Sequence, residues 1–166
     1  MKRLVDANMQ VLEQMCSTFQ ELEDVLWSRP TAGASGLRIG AHVRHVLDFY
    51  SCFFAGLERG EIDYDVRGRD RSIESSRPAA MRALQSVMDN LLALLPMDPE
   101  MAVVVRDEGT ILRSTTGREM NSLLNHTIHH MALIAVALHS FGDHVAPDFG
   151  VAPSTRRYHQ RTGAAA

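Results

Sequence analysis

The spacing of apolar residues constrains this chain more than any other feature of it. Leu4, Val5, Met9, Leu12, Met15, Phe19, Leu22, Val25 and Leu26 recur at three- and four-residue steps, uninterrupted by Gly or Pro, and predict one helix over residues 2–28. Arg29-Pro30 stops it, and TAGASG (31–36) reads as a loop. A second helix is expected over 37–57, on Ile39, Val43, Val46, Phe49, Tyr50, Phe53 and Leu57, closing near Gly60. Ser75 or Ser76 can cap a third, with Pro78 in its first turn and Met81, Leu84, Val87, Met88, Leu91, Leu92 and Leu95 along one face. A fourth opens on Thr116-Gly-Arg-Glu119, which fits a capping box, and runs to Phe141 before Gly142.

Two stretches break this pattern. Residues 102–115 (AVVVRDEGTILRST) are β-branched on both sides of a glycine and predict a short hairpin turning at Glu108-Gly109. Residues 61–74 (EIDYDVRGRDRSIE) mix charges without a period and read as a surface connection, long enough to suggest a functional loop. The segment from 146 to 166 carries two prolines and no period, and reads as an irregular tail. The expectation is therefore a single all-α domain over 1–166, a four-helix bundle with a short β-hairpin before the last helix.

A chain of 166 residues can bury roughly 70% of its unfolded surface without disulfides or a structural metal. Seventeen basic against twenty acidic residues leave a net charge of −3, which disfavours nucleic acid and anionic membrane surfaces as partners. The two cysteines, Cys16 and Cys52, form no Cys-x-x-Cys pair and suit a reducing compartment. The N-terminus lacks the apolar core of a signal peptide. The longest apolar run, MALIAVAL (131–138), is far short of the ~20 residues that span a bilayer, so the expected setting is the cytoplasm.

Histidine is the unusual residue: there are eight, and most are clustered. HVRH (42–45) falls on the second helix and NHTIHH (125–130) on the fourth. His126 and His130 differ by about 40° around a helix axis and so share a face, one turn apart. That spacing lets two imidazoles hold one metal ion. Leu123, Leu133, Ile134, Ala137 and Phe141 lie on the same stripe, whereas His129 projects beside Ser122, Asn125 and Ser140, toward solvent or a subunit contact. On the second helix His45 shares a face with Phe49, Cys52 and Gly56, Arg44 and Ser51 mark the wet side, and His42, one turn back, can also look inward.

Three neutral imidazoles from two helices would make a three-coordinate site for a divalent transition metal, with open positions for water or substrate. All-imidazole ligation suits Zn, Ni, Fe or Co better than Mg or Ca. The plain alternative is a hydrogen-bonded core cluster, since the glutamate that makes a zincin motif specific is missing. Cys52 fits a fourth ligand, a reactive thiol or a core residue. Asp48 fits an orienting partner for an imidazole or an exposed acid. Arg67 and Arg69 fit either a carboxylate clamp at the pocket mouth or ion pairs within their loop, and Arg156 and Arg157 leave the same choice. No Ser-His-Asp constellation, P-loop or dinucleotide fingerprint is visible.

HVRHVLDFY (42–50), DYDVRGRD (63–70), NHTIHHMALIAVAL (125–138) and DFGVAPSTRRY (148–158) occur in an order and helix spacing that resemble the DinB/YfiT-like superfamily of four-helix-bundle proteins, over most of the chain. The resemblance implies a bundle of DinB-like type and a divalent metal, often zinc or nickel, held by one His of the second helix and two of the last. Carried over, these are His45, His126 and His130, with His42 as a competing alignment. Family members with an assigned reaction look like metal-dependent transferases that conjugate small thiols to electrophiles; related proteins include a thiol-dependent maleylpyruvate isomerase, and others are grouped as hydrolases. Homodimers are common among them. The implied function is a thiol transferase or hydrolase acting on a small thiol and an electrophilic small molecule. The alternative is a non-catalytic metal- or small-molecule-binding dimeric bundle of stress-response type.

Overall fold

A computed structural model describes residues 1–32 and 36–163; positions 33–35 of the loop expected at 31–36, and the last three of the expected tail, lie outside the described residues. Four long helices dominate: α1 (Lys2–Gln20), α3 (Ile39–Leu57), α5 (Arg77–Ala93) and α6 (Thr116–Ser140). Between them lie the short α2 (Asp24–Ser28) and α4 (Arg71–Ser75), and α7 (Pro153–Thr162) follows α6. α1 and α3 each pack against both α5 and α6, so each occupies one corner of a diagonal. The core is their shared apolar interior: Leu12, Met15 and Phe19 meet Val43, Val46, Tyr50 and Phe53, with Leu84, Leu91, Met120, Leu123 and Ile134 closing it. Burying side chains of this size contributes about 1.5–3 kcal/mol each before the entropy of ordering is subtracted. Among the described residues no helix is long and apolar enough to cross a membrane.

The all-α expectation is wrong. A three-stranded mixed sheet, in the order β1 (Glu61–Asp63), β2 (Ala102–Asp107), β3 (Thr110–Thr115), packs beside the helices. β2 and β3 are the expected hairpin, turning at Glu108 and Gly109, both at positive φ (48° and 73°), as a two-residue hairpin turn requires. β1 was not expected. It runs parallel to β2, with Ile62 opposite Val105, and α4 and α5 form the crossover that a parallel pair needs. Three residues are too few to show an alternation, so this strand exists only through its pairing. Gly56 brings it close: a Cβ there would lie 2.6 Å from the Glu61 carbonyl oxygen and from Ile62 Cα. Ile62, Val103 and Val105 are buried against the helices, whereas Ile111 and Leu112 on the edge strand are exposed.

Other expectations also need correction. The predicted helix over 2–28 bends at 21–23, where Glu23 is extended, and the turn lets Trp27 meet Phe19 edge-on (5.2 Å) and donate Nε1–H to the Ile73 carbonyl. The fourth helix is capped by Thr115, which accepts from the Arg118 amide, and not by a box of Thr116 and Glu119. Thr116 donates instead to the Met101 carbonyl. The expected surface connection at 61–74 contains β1 and α4, and the expected irregular tail contains α7, with Pro153 in its first turn and Gly163 left-handed at its end.

Acidic side chains organise the 63–70 segment. Asp65 clasps the hairpin turn, its carboxylate oxygens accepting from the amides of Glu108 (2.9 Å) and Gly109 (3.1 Å). Asp70 caps α4 through the Ser72 amide.

One polar network lies inside the bundle. The Tyr50 hydroxyl of α3 donates to Asn8 Oδ1 of α1 (2.7 Å), and Thr127 Oγ1 of α6 lies 3.3 Å from the same hydroxyl. Asn8 Nδ2 donates in turn to the carbonyls of Leu4 and Met120. Tyr50→Phe strips the donor from a fully buried Asn8 oxygen. It is expected to lower unfolding stability by about 1–3 kcal/mol, read as a shifted urea midpoint with an unchanged slope.

Candidate metal centre

Two helices carry the site. His45 comes from α3, and His126 and His130 come from successive turns of α6, the helix that packs against it. The rings gather closely: centroids are 5.0 Å apart for His45–His126, 4.7 Å for His45–His130 and 4.6 Å for His126–His130. One ring nitrogen of each lies within 4.8 Å of the others. Three imidazole nitrogens at ~2.1 Å from one tetrahedral zinc-like ion would stand roughly 3.4 Å apart, so small ring rotations suffice to converge them. Two further properties suit a cation. The three donors are all imidazoles, and His126 Nε2 is a buried nitrogen with no hydrogen-bond partner among the described residues. A buried polar atom left unpaired is costly, and a metal ion is a partner that an imidazole lone pair accepts.

The choice between the two histidines of HVRH follows from contact. His45 joins the cluster. His42 Nδ1 lies 2.9 Å from His130 Nδ1, a hydrogen bond in which one ring donates and the other accepts. With His130 Nδ1–H as the donor and His42 Nδ1 as the acceptor, His130 Nε2 keeps the lone pair that a cation needs. His42 thus fixes the orientation of a candidate ligand, as a hydrogen-bonding partner to a metal-binding histidine does.

Electrostatics keep these rings neutral. Burial pushes His130 down to about 3, helped by the positive charge that His126, His45, His42 and His129 would add beside it. His126 is pushed down to about 4 by burial, then by His45, His129 and Arg67. Burial also lowers His45, with Arg67 as the next cause, and lowers His42. Neutral imidazoles are the form that binds metal.

The other candidates divide. Arg67 reaches the site: its guanidinium sits 5.0 Å from the Phe49 ring centroid, and that ring lies 4.3 Å from His126 and 5.0 Å from His45. Arg69 does not. Its side chain is exposed, and its amide, on a residue at φ 51°, donates to Asp48 Oδ1. Asp48 is buried and spends its carboxylate on that amide and on Arg44, 4.0 Å away, and not on an imidazole. Arg44 is not on a wet side. It is half-covered and pairs with Glu74 of α4 at 3.1 Å. Cys52 stands outside the cluster; its thiol donates to the Val66 carbonyl, and burial raises it above the ordinary thiol range. His129 is exposed and meets His130 edge-on. Arg156 pairs with Asp148 and Gln10, away from the histidines.

Sequence reasoning missed the second half of the site. Phe49 stacks on Tyr64 (5.1 Å), and the Tyr64 hydroxyl donates to Glu119 Oε2, whose Oε1 accepts from Ser114. Phe49 was detectable, one helical turn from His45. The Tyr64–Glu119 contact joins β1's end to α6 across the sheet and has no local signature. Phe49, Tyr64, Glu119 and His126 line a cavity of about 180 Å³.

No family model matches this chain, and no curated protein matches it.

The depressed imidazoles set a pH dependence. The unfolded chain takes up protons below the ordinary histidine value of about 6.5, whereas folded His126 and His130 resist them until about 4 and 3. Their contribution to stability is therefore full above pH 6.5, falls as the pH drops from there toward 4, and levels off below 3. In chelator, a His126→Gln/His130→Gln protein should show a flatter denaturation midpoint against pH across that window than the parent chain.

Proposed function

We propose that this chain is a metal-dependent enzyme in which His45, His126 and His130 hold a divalent transition metal, zinc or nickel, and the site directs a small thiol or water at an electrophilic small molecule. The observation that carries the reading is the gathering of three neutral imidazoles around the unpartnered His126 Nε2. A divalent ion bound there supplies Lewis acidity, which makes a thiol or water nucleophilic near neutral pH. The resemblance to the DinB/YfiT-like superfamily supports thiol transfer or hydrolysis as the reaction class.

The remaining residues have definable tasks. His42 holds the His130 ring through its Nδ1. Arg67, half-buried over the Phe49 ring, presents a guanidinium beside the histidines, suited to a substrate carboxylate or other developing negative charge. Phe49, Tyr64 and Leu123 line the adjoining cavity and give it aromatic and apolar walls.

Elemental analysis of the purified protein is expected to find about one equivalent of zinc or nickel, with conjugation of a small thiol to a generic electrophile such as a chloronitrobenzene. His126→Ala should remove the metal without unfolding the helices; metal retained at full occupancy would overturn the ligand assignment. Full occupancy with no turnover of several thiols or of hydrolysable esters would overturn the enzyme reading. His42→Ala should keep the fold and weaken metal affinity by about 10- to 100-fold, as loss of an orienting partner does. Competition against a chromogenic chelator measures this directly.

A further inference from the structure

The cavity beside His126 is built by α6, the sheet, α3 and the chain after β1. α6 supplies Glu119, Ser122, Leu123 and His126, the sheet supplies Val105, Asp107 and Leu112, and Phe49 and Tyr64 close it. Its volume of about 180 Å³ equals roughly six water molecules, enough for a fragment of a few heavy atoms.

The lining has an unusual charge. Asp107 and Glu119 are acidic, and among the described residues no Lys or Arg lines the cavity. Glu119 is almost fully buried, yet its partners are two neutral hydroxyls, those of Tyr64 and Ser114, and it takes part in no ion pair among the described residues. Each carboxylate oxygen accepts one of these protons and keeps capacity for another. A buried carboxylate without a cationic partner is electrostatically incomplete. Beside it, Phe49 and Tyr64, stacked on one another, and Val105, Leu112 and Leu123 offer aromatic and apolar walls.

We propose that this cavity is a recognition subsite for a positively charged, partly apolar group, an alkyl- or arylammonium, carried by the substrate. The ammonium pairs with Glu119 and Asp107, and its hydrocarbon part lies against the aromatic and aliphatic walls. The identification of this group as part of a substrate rests on the metal-site reading, because His126 is what connects the cavity to the reactive centre. The cavity's preference for a cation does not rest on it.

The test uses three probes of one length on the isotopically labelled protein: n-butylammonium, n-butanol and butyrate, titrated by NMR. Butylammonium is expected to shift the methyl signals of Val105, Leu112 and Leu123 and to bind roughly tenfold more tightly than butanol, with butyrate weaker still. Glu119→Gln keeps an acceptor for Tyr64 and should abolish the preference for the ammonium. Asp107→Asn, at an exposed position that does not threaten the fold, should reduce it. Equal binding of butanol or butyrate, shifts confined to another face, or no effect of either substitution would overturn the proposal. Repeating the titration on His126→Ala separates the two readings. Butylammonium binding that survives there supports the subsite independently of the metal, whereas a metal-loaded parent chain that shows no charge preference sinks the subsite alone.

Discussion

Placing hydroxyls and an amide at the centre of a helical core is tolerable only if each finds a partner on another helix. Tyr50, Asn8 and Thr127 meet that condition, and in meeting it they fix α1, α3 and α6 relative to one another. Apolar packing alone permits a helix to slide or turn with little penalty, whereas a buried donor that loses its acceptor is penalised at once. The register of α3 on α6 is therefore specified. Thr127 adjoins His126, and Tyr50 stands one turn and a residue beyond His45. The bond that locks the helices sits next to the rings that gather between them.

The sheet has a matching part on the other side of the histidines. Its inner residues, Ile62, Val103 and Val105, bury against the helices, and its edge strand β3 meets α6. Without β1 and the chain that follows it, Tyr64 would have no fixed position, and Glu119 would lose the phenol that occupies one of its oxygens. Because Tyr64 is deeply buried beside that carboxylate, its phenol is held well above the ordinary tyrosine range and remains a donor. The helices thus supply the imidazoles, and the sheet supplies the wall of the space beside them.

How much of this was legible depends on the length over which each signal repeats. α3, α5 and α6 carry their apolar stripe for many turns, so the pattern revealed them with ends correct to a few residues. The hairpin announced itself through Glu108-Gly109 between β-branched runs. The helical wheel put His126 and His130 together and His129 outside. It left His42 and His45 open, because a wheel gives direction but not reach; only the 2.9 Å contact of His42 with His130 assigns their different parts. β1 and α4 were illegible since each is a few residues long and is stabilised by distant partners: Val104 to Arg106 for the strand, and Trp27 and Arg44 beside the short helix. Glu119 was misread for a related reason. Its sequence neighbourhood fits a cap, but Tyr64, which no local pattern ties to it, captures its carboxylate.

The clasp that Asp65 makes on Glu108 and Gly109 joins the tip of the hairpin to the loop that, two residues later, presents Arg67. Leu112, near that tip, lines the cavity. Hairpin tip and loop therefore share one anchor. The cavity wall at Leu112 and the guanidinium over Phe49 are thus placed by the same carboxylate, and losing it would release both.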